Sequence, residues 1–155
     1  MLRLTKVSDY GVVLLTYMAS VPGGPTFKAR DLAQTAGLSP SMVSKVLKAL
    51  TRGGVLESHM GSKGGYRLSR TAAQITVAEV IQALDGPIRV TECADEADSN
   101  CMIDSLCPVR VGWQKVNAAV REALEGISLA ELMQGEVNEN PALQHPETAG
   151  IAETG

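Results

Sequence analysis

The sequence predicts a mainly α-helical fold with one small β-hairpin. Apolar residues recur at helical spacing in several stretches, which favours helices over most of the chain. Two short β-prone runs, at 55–58 and 66–69, are joined by a glycine-rich segment and indicate a hairpin. Of the 155 residues, 45% are hydrophobic but 3% are aromatic, so the expected core is aliphatic.

The first two helices are marked by their ends. A helix is predicted over 8–21, where Ser8 can cap the N-terminus and apolar residues repeat every three or four positions. The sequence Pro-Gly-Gly-Pro at 22–25 ends this helix. A second helix is predicted over 28–36, and Gly37 closes it as a C-terminal cap.

A short turn separates the second helix from the third. Ser39 is placed to cap the third helix, and Pro40 to occupy its first turn. Its inward stripe is predicted to comprise Val43, Val46, Leu47 and Leu50. After a pair of glycines, strands at 55–58 and 66–69 should pair through the connection at 61–65.

The second half of the chain predicts three further helices. Thr76 and Glu79 form a capping box for a helix that continues to Leu84. A second capping box, formed by Ser128 and Glu131, begins a short last helix. The polar, breaker-rich sequence beyond that helix predicts a disordered tail.

The longest helix is predicted between the two capping boxes. It begins at Pro108 and continues to about residue 124, with an apolar stripe at Val109, Trp113, Val116, Val120 and Leu124. The chain thus divides into a helix and hairpin part, a cysteine segment, a long-helix part and a tail, at 1–86, 87–107, 108–134 and 135–155.

The charge is distributed unevenly along the chain. The net charge of −3 hides ten Lys and Arg against three acids in residues 1–70, a local net charge of +7. The remaining residues hold four basic and fourteen acidic side chains, a net charge of −10. Because phosphate contacts are electrostatic, the basic half suits nucleic acid; charge segregation for solubility is the alternative.

The order of helix, tight turn, helix and basic hairpin is that of a winged helix-turn-helix. In this fold the second helix of the pair enters the major groove of DNA. Its serines can bond base edges or phosphates, its methionine can contact a thymine methyl, and its cations can meet phosphate. The predicted DNA-contacting residues of this helix are Ser39, Ser41, Met42, Ser44, Lys45, Lys48 and Arg52.

The hairpin supplies a second predicted contact with DNA. Its glycines would let the backbone approach a phosphate ridge, and its lysine adds positive charge. The predicted contacts are His59, Lys63, Gly64, Gly65 and Tyr66. Helix-turn-helix patterns alone give many false positives, so a helical pair with a solvated basic face is the alternative. The charge distribution, the hairpin and the spacing together favour DNA binding.

All three cysteines, Cys93, Cys101 and Cys107, fall in one short segment. Their Cys-x7-Cys-x5-Cys spacing lacks the CxxC pairs of many structural zinc sites, and Pro108 follows the last cysteine as in some cluster-binding sequences. Three soft ligands can hold a metal or an iron–sulfur cluster if a fourth ligand is supplied. Zinc binding and a thiol redox switch stay open, whereas packing cysteines are disfavoured in a polar loop.

Four features of the chain are found together in a known family: the sequences RLTKVSDYGVVLLTYMA, LSPSMVSKVLKAL and GSKGGYRLSR, and three cysteines before a long helix. This set resembles the IscR/NsrR family of iron–sulfur transcription regulators over roughly residues 1–133. It is most similar to the subgroup that regulates the SUF iron–sulfur assembly operon, on the combination of VSDYG, PSMVSKVLK, SHMGSKGGYRLSR, DGPI and TEC. The resemblance implies a homodimer joined by the long helix, a palindromic operator in double-stranded DNA, and a [2Fe-2S] or [4Fe-4S] cluster.

The resemblance also implies which residues hold the cluster. Cys93, Cys101 and Cys107 match the cluster cysteines, although the first gap is longer than in IscR-like members. Arg110 stands where those members have a ligating histidine. Asp9 matches an N-terminal aspartate that NsrR-like members supply from the partner subunit. The alternative for Asp9 is an acid that only complements its helix dipole.

These features together predict a cytoplasmic, cluster-sensing transcriptional regulator that represses SUF-type iron–sulfur assembly genes. A nitric-oxide sensor, or a thiol or zinc redox sensor, on the same scaffold is the alternative. An enzyme or electron carrier is disfavoured, because the sequence contains no nucleotide-binding loop, catalytic triad or plausible general-base histidine. No apolar run is long enough to span a bilayer and no cleavable signal pattern is found, so no membrane partner is expected.

Overall fold

The computed structural model describes residues 4–91 and 106–134. The predicted fold class is confirmed: the described chain is mainly helical with one antiparallel two-stranded sheet. The helices are α1 Lys6–Ser20, α2 Ala29–Ala36, α3 Pro40–Arg52, α4 Val77–Asp85, α5 Arg110–Glu125 and α6 Leu129–Met133, with a 3₁₀ turn at Ala72–Gln74. The strands are β1 Leu56–His59 and β2 Gly65–Leu68.

The N-terminus of α1 differs from the prediction. Thr5, not Ser8, is the cap, and its side chain accepts a hydrogen bond from the Ser8 backbone N–H. Ser8 lies in the first turn and is 1% exposed. The prediction of Ser8 as the cap was therefore wrong, because two hydroxyl residues precede the apolar repeat and the pattern alone does not choose between them.

The turn between α2 and α3 is confirmed in detail. Gly37 adopts the left-handed conformation with φ of 65°, and its N–H bonds the carbonyls that end α2. The Ser39 hydroxyl accepts a hydrogen bond from the Met42 N–H at 3.3 Å, so it caps α3 as predicted. These two caps fix the angle at which α3 leaves α2.

One aliphatic core holds α1, α2, α3, the hairpin base and α6 together. The stripe of α3, which is Val43, Val46, Leu47 and Leu50, is fully buried as predicted. Full burial of such a side chain contributes about 1.5–3 kcal/mol relative to exposure. Leu129 of α6 joins the same core, and its N–H bonds the Ile75 carbonyl at 2.8 Å. The chain after α5 therefore returns to the helix-turn-helix body.

The apolar stripe of α5 is divided between two environments. At its C-terminal end, Val120 and Leu124 pack against a small cluster formed by Ala78, Ile81 and Ile88. At its N-terminal end the stripe is solvent-exposed, with Val109 55%, Trp113 38% and Val116 43% exposed. The helix α5 thus has more apolar surface than the described part of its own chain covers.

A buried asparagine joins α5 to the segment that leads toward the cysteines. Asn117 is 4% exposed, and its side-chain carbonyl accepts a hydrogen bond from the Val90 N–H at 3.0 Å. A buried amide with such a partner is stabilising, whereas the same group without a partner would be costly. The entry to the cysteine segment is therefore fixed against α5.

Asp85 connects the last turn of α4 to the first turn of α1. Its carboxylate accepts hydrogen bonds from the Thr5 hydroxyl at 2.6 Å, the Ser8 hydroxyl at 2.5 Å and the Thr5 N–H at 3.3 Å. Partial burial by itself would raise the pKa of Asp85, but the bonds from Ser8 and Thr5 outweigh it and hold the pKa below its usual value. Asp85 lies 80 residues from Thr5 in the chain, so no local sequence pattern reveals this contact.

Replacing Asp85→Asn is expected to destabilise the fold at neutral pH by about 1 kcal/mol, after allowance for solvent screening. Because the folded pKa is lowered, the carboxylate stabilises the fold above its unfolded pKa of about 3.9, and this contribution is lost as the pH falls through the lower folded pKa. Urea unfolding across this pH range should show the difference between variant and wild type shrinking in acid.

The control for this measurement is Glu122→Gln. Within the described residues the exposed Glu122 side chain makes no hydrogen bond or ion pair. It should unfold with a pH dependence close to that of the wild type. A deficit of Asp85→Asn that stays constant with pH would contradict the assigned role of the carboxylate.

Candidate nucleic-acid interface

The burial of one side of α3 leaves its other side in solvent. Ser41, Lys45 and Lys48 are exposed on this outer face, and Ser39 and Arg52 are exposed at its two ends. Exposed hydroxyl and cationic groups at the start of such a helix can reach base edges and phosphates. The structure therefore presents most of the residues predicted to touch DNA along one surface.

Two predicted contacts on α3 are less exposed than the pattern suggested. Met42 is half-buried and packs against the aliphatic core, although the sequence predicted that it faces outward. Ser44 is also half-buried. A methionine in the first turn lies close to the start of the buried stripe, and its long flexible side chain can bend toward the core. A thymine contact by Met42 stays a prediction.

Ion pairs separate the cations of the basic half into two groups. Arg67 donates to the Glu57 carboxylate at 2.9 and 3.0 Å, and Arg70 donates to Glu79 at 2.8 Å. In the described part of the chain, no ion pair is made by Lys45, Lys48, Arg52 or Lys63. The cations without an ion pair in this part of the chain thus include those on α3 and the hairpin, as well as Lys6, Lys28 and Arg30 on α1 and at the start of α2.

The hairpin, here called the wing (β1, β2 and the residues between them), has two distinct faces. On one face Glu57 lies opposite Arg67, and the His59 imidazole is 3.7 Å from the same carboxylate. On the other face Ser58 lies opposite Tyr66. His59 therefore projects away from the Ser58 face, and its predicted DNA contact stays a prediction.

The Ser58 face of the wing and the outer face of α3 form the two walls of one open groove. Its lining consists of Lys48, Thr51, Arg52, Ser58 and Tyr66. The groups here that can bind a backbone phosphate are the two cations and the hydroxyls of Ser58 and Tyr66, because the Thr51 hydroxyl donates to the Leu47 carbonyl at 2.8 Å. Thr51 and Ser58 were missed by the sequence analysis, because their approach depends on how the hairpin folds back against α3.

Two glycines of the wing are required for backbone packing within the chain, independently of any DNA contact. A Cβ on Gly64 would lie 2.3 Å from the His59 carbonyl oxygen, and one on Gly65 would lie 2.3 Å from that of Phe27. The Tyr66 N–H and carbonyl both bond Phe27, at 2.8 and 2.7 Å. These positions therefore require close backbone packing within the chain, and their predicted approach to DNA stays a prediction.

The predicted cluster ligands are only partly within the described residues. Cys93 and Cys101 lie outside them. Cys107 is half-buried and has no disulfide partner among the described residues; α5 begins three residues later, at Arg110 and not at the predicted Pro108. Asp9 is exposed in the first turn of α1, and its side chain has no partner in the part of the chain that the structure describes. Among those same residues, no group of three metal-binding side chains is found.

The exposed face of α3, its capped turn and the adjacent wing define a winged helix-turn-helix protein. The family described as "Rrf2: Iron-dependent Transcriptional regulator" matches residues 4–135. The chain belongs to this family and is a DNA-binding transcriptional regulator. Among residues 4–91 and 106–134, no helix has both the length and the apolar character needed to cross a membrane.

Individual proteins similar to this chain include regulators, in agreement with the family description. The chain is 35% identical to the HTH-type regulator ORF2 of Azotobacter vinelandii, over 85% of this chain and 79% of that one. CymR (YrzC), the global cysteine regulator of B. subtilis, is 26% identical with a TM-score of 0.61, covering 86% of this chain and 97% of that one. T. potens IscR is 26% identical with a TM-score of 0.60, covering 85% and 86%.

Replacing Lys48→Ala is expected to weaken binding to any duplex, because Lys48 lines the groove between α3 and the wing. The slope of log Kobs against log salt is negative, and loss of one phosphate contact should make it less steep by about 0.9. Fluorescence anisotropy over a salt series measures both effects. The matched control is Lys115→Ala, which removes an exposed cation from α5 and should leave the slope unchanged. Equal slopes for wild type and Lys48→Ala would exclude this phosphate contact.

Proposed function

We propose that this regulator is a homodimeric repressor that senses an iron–sulfur cluster and controls SUF-type iron–sulfur assembly genes. The observation that carries the proposal is the position of Cys107, at the junction between the cysteine segment and α5, in a chain whose other end presents a DNA-binding face. The similarity to T. potens IscR supports an iron–sulfur regulator. The SUF assignment rests on the sequence resemblance.

The dimer follows from the exposed part of α5. Val109, Gly112, Trp113 and Val116 line one shallow apolar groove. Contiguous exposed apolar surface of this kind is typical of an interface. The proposed occupant is the same surface of a second copy, because a two-fold dimer would present two α3 helices to the two halves of a palindromic operator.

The residues proposed to hold the cluster are Cys93, Cys101 and Cys107 of one subunit and Asp9 of the partner subunit. Three thiolates with a carboxylate oxygen are a donor set that suits iron in a cluster. The exposure of Asp9, and its lack of a partner among the described residues, leave its carboxylate available. A bound cluster would supply sensitivity to iron limitation, oxidants or nitric oxide, because these remove or alter it.

The helices that carry or adjoin the proposed ligands pack, directly or through α4, against α3 of the DNA-binding face. Asp9 lies in the turn of α1 that Asp85 fixes to α4, and α1 and α4 both pack against α3. Cys107 precedes α5, which packs on α4 through Val120 and Leu124. Two conformations with different affinities for the cluster would then differ in the placement of α3, as a population shift requires.

A thiol redox sensor is the second candidate. Two observations favour it: the CymR relative is a cysteine regulator, and the Cys107 thiol is free in the described chain. Neighbouring thiols can oxidise to a disulfide, which would alter the same segment without a metal. Iron and sulfide analysis of anaerobically purified protein separates the two candidates, because the redox sensor would contain neither.

Replacing Trp113→Ala is expected to weaken the dimer, since truncating a tryptophan at an interface commonly costs about 2 kcal/mol or more. Sedimentation equilibrium should show a monomer–dimer constant raised by about 30-fold or more. Val111→Ala is the matched control, because Val111 is exposed on the opposite side of α5. Unchanged association of Trp113→Ala would contradict a dimer built on this stripe.

Replacing Asp9→Ala is expected to leave the cluster more easily lost, because a ligand is removed. Anaerobic visible spectra and iron content, followed over time after exposure to air, measure this loss. Asp31→Ala is the control, since Asp31 is likewise an exposed acid in the first turn of a helix and loses the same dipole interaction. Identical decay in both variants would exclude Asp9 as a ligand.

A variant with Ala at all three of Cys93, Cys101 and Cys107 should purify without iron and with altered operator affinity. An iron-free variant that bound the operator like the cluster-containing wild type would contradict cluster sensing.

A further inference from the structure

The tip of the wing carries an apolar side chain that touches nothing in its own chain. Met60 is 99% exposed, more than any other large hydrophobic residue of the described chain. A single exposed apolar residue is ordinary and needs no explanation by itself. The position of Met60 at the tip, next to a bonded turn and near cations of the wing and α3, gives it a specific setting.

Met60 directly follows β1, which ends at His59. Within the strand, Ser58 lies opposite Tyr66, and both line the groove beside Lys48 and Arg52. Successive side chains of a strand point to opposite faces, and the same alternation continued one residue past the end of β1 would place Met60 on the Ser58 side. Glu57 forms its ion pair on the other face.

Met60 directly precedes a hydrogen-bonded turn at the tip of the wing. The Gly64 N–H bonds the Gly61 carbonyl at 2.9 Å, and Gly61 adopts a φ of 105° that favours glycine. Lys63, in the same turn, is exposed and has no ion pair in the described chain.

The wing is long enough to reach past one phosphate ridge of a DNA duplex. With α3 in the major groove, the phosphate ridge beside it would lie in the groove formed by Lys48, Arg52 and Ser58. A four-residue strand extends about 13 Å, which is enough to cross this ridge. The tip with Met60 and Lys63 then lies over the adjacent minor groove, which is about 6 Å wide.

We propose that Met60 is a specificity-determining wedge that enters the minor groove next to the major-groove site of α3. An apolar side chain pressed between base steps there partly unstacks them. The effect of this side chain on affinity depends on how easily the DNA sequence deforms. It should insert best at A·T-rich steps, where no guanine 2-amino group obstructs the minor groove. The inference rests on DNA binding through α3 and the wing, and adds a sequence preference where no base-edge hydrogen bond is made.

The first test compares Met60 variants on a duplex that the wild-type protein selects from a random-sequence library. Met60→Ala and Met60→Gln should bind about fivefold more weakly, because both lose apolar burial, whereas Met60→Leu should stay within about twofold. The salt slope should stay that of the wild type. Lys63→Ala is the contrasting variant. Its plot of log Kobs against log salt should be less steep than that of the wild type by about 0.9. Thermal unfolding of all four variants should be unchanged, since the replaced side chains are exposed.

The second test identifies the groove. One A·T pair under the wing is replaced by inosine·C or by G·C in the selected duplex. Inosine·C resembles A·T in the minor groove and G·C in the major groove, because it lacks the guanine 2-amino group. The wild type should bind the A·T and inosine·C duplexes alike and the G·C duplex more weakly. Met60→Ala should bind all three with similar affinity.

The possible failures are distinguishable. A wild-type protein that selects no sequence would overturn DNA recognition itself, and the role of Met60 with it. A wild type that selects a site, together with a Met60→Ala variant of equal affinity and equal discrimination, would overturn the wedge and leave DNA recognition intact. Weaker wild-type binding to inosine·C than to A·T would place the contact in the major groove and also overturn the proposal.

Discussion

The burial of one stripe of α3 is the constraint on which the rest of the molecule depends. Val43, Val46, Leu47 and Leu50 have no exposed surface, and they meet residues from α1, α2 and the start of the hairpin in one core. A helix whose one side is fixed in this way cannot rotate without exposing several aliphatic side chains. The lysines and serines on the opposite side therefore keep one orientation toward solvent, and that orientation is what DNA recognition requires.

The same core also sets the position of the wing. The Val55 N–H bonds the Leu50 carbonyl at 2.9 Å, and the Ser69 hydroxyl bonds the Gly54 carbonyl at 2.7 Å, so both strands begin or end against the last turn of α3. Arg67 and Arg70 are neutralised by Glu57 and Glu79. Four cations that make no ion pair in the described chain, Lys45, Lys48, Arg52 and Lys63, lie on α3 and the wing.

The sequence was informative wherever one local signal decides the structure. The caps at Ser39 and Thr76, the left-handed Gly37 and the stripe of α3 needed only neighbouring residues, and all were predicted correctly. The contacts of Asp85, Asn117 and Phe27 join residues far apart in the chain, and no local pattern reveals them. For the same reason no sequence pattern indicates that Thr51 and Ser58 share a groove, or that His59 points away from it.

The orientation of α3 and the wing determines which part of the molecule meets DNA. Backbone hydrogen–deuterium exchange, compared between free protein and protein bound to its selected duplex, measures which segments are covered. We expect slower exchange in the first turn of α3, at 40–43, and in the wing tip at 60–64, with α6 unchanged. Protection confined to α5 and α6, with α3 and the wing exchanging as in the free protein, would contradict this placement of the DNA-binding face.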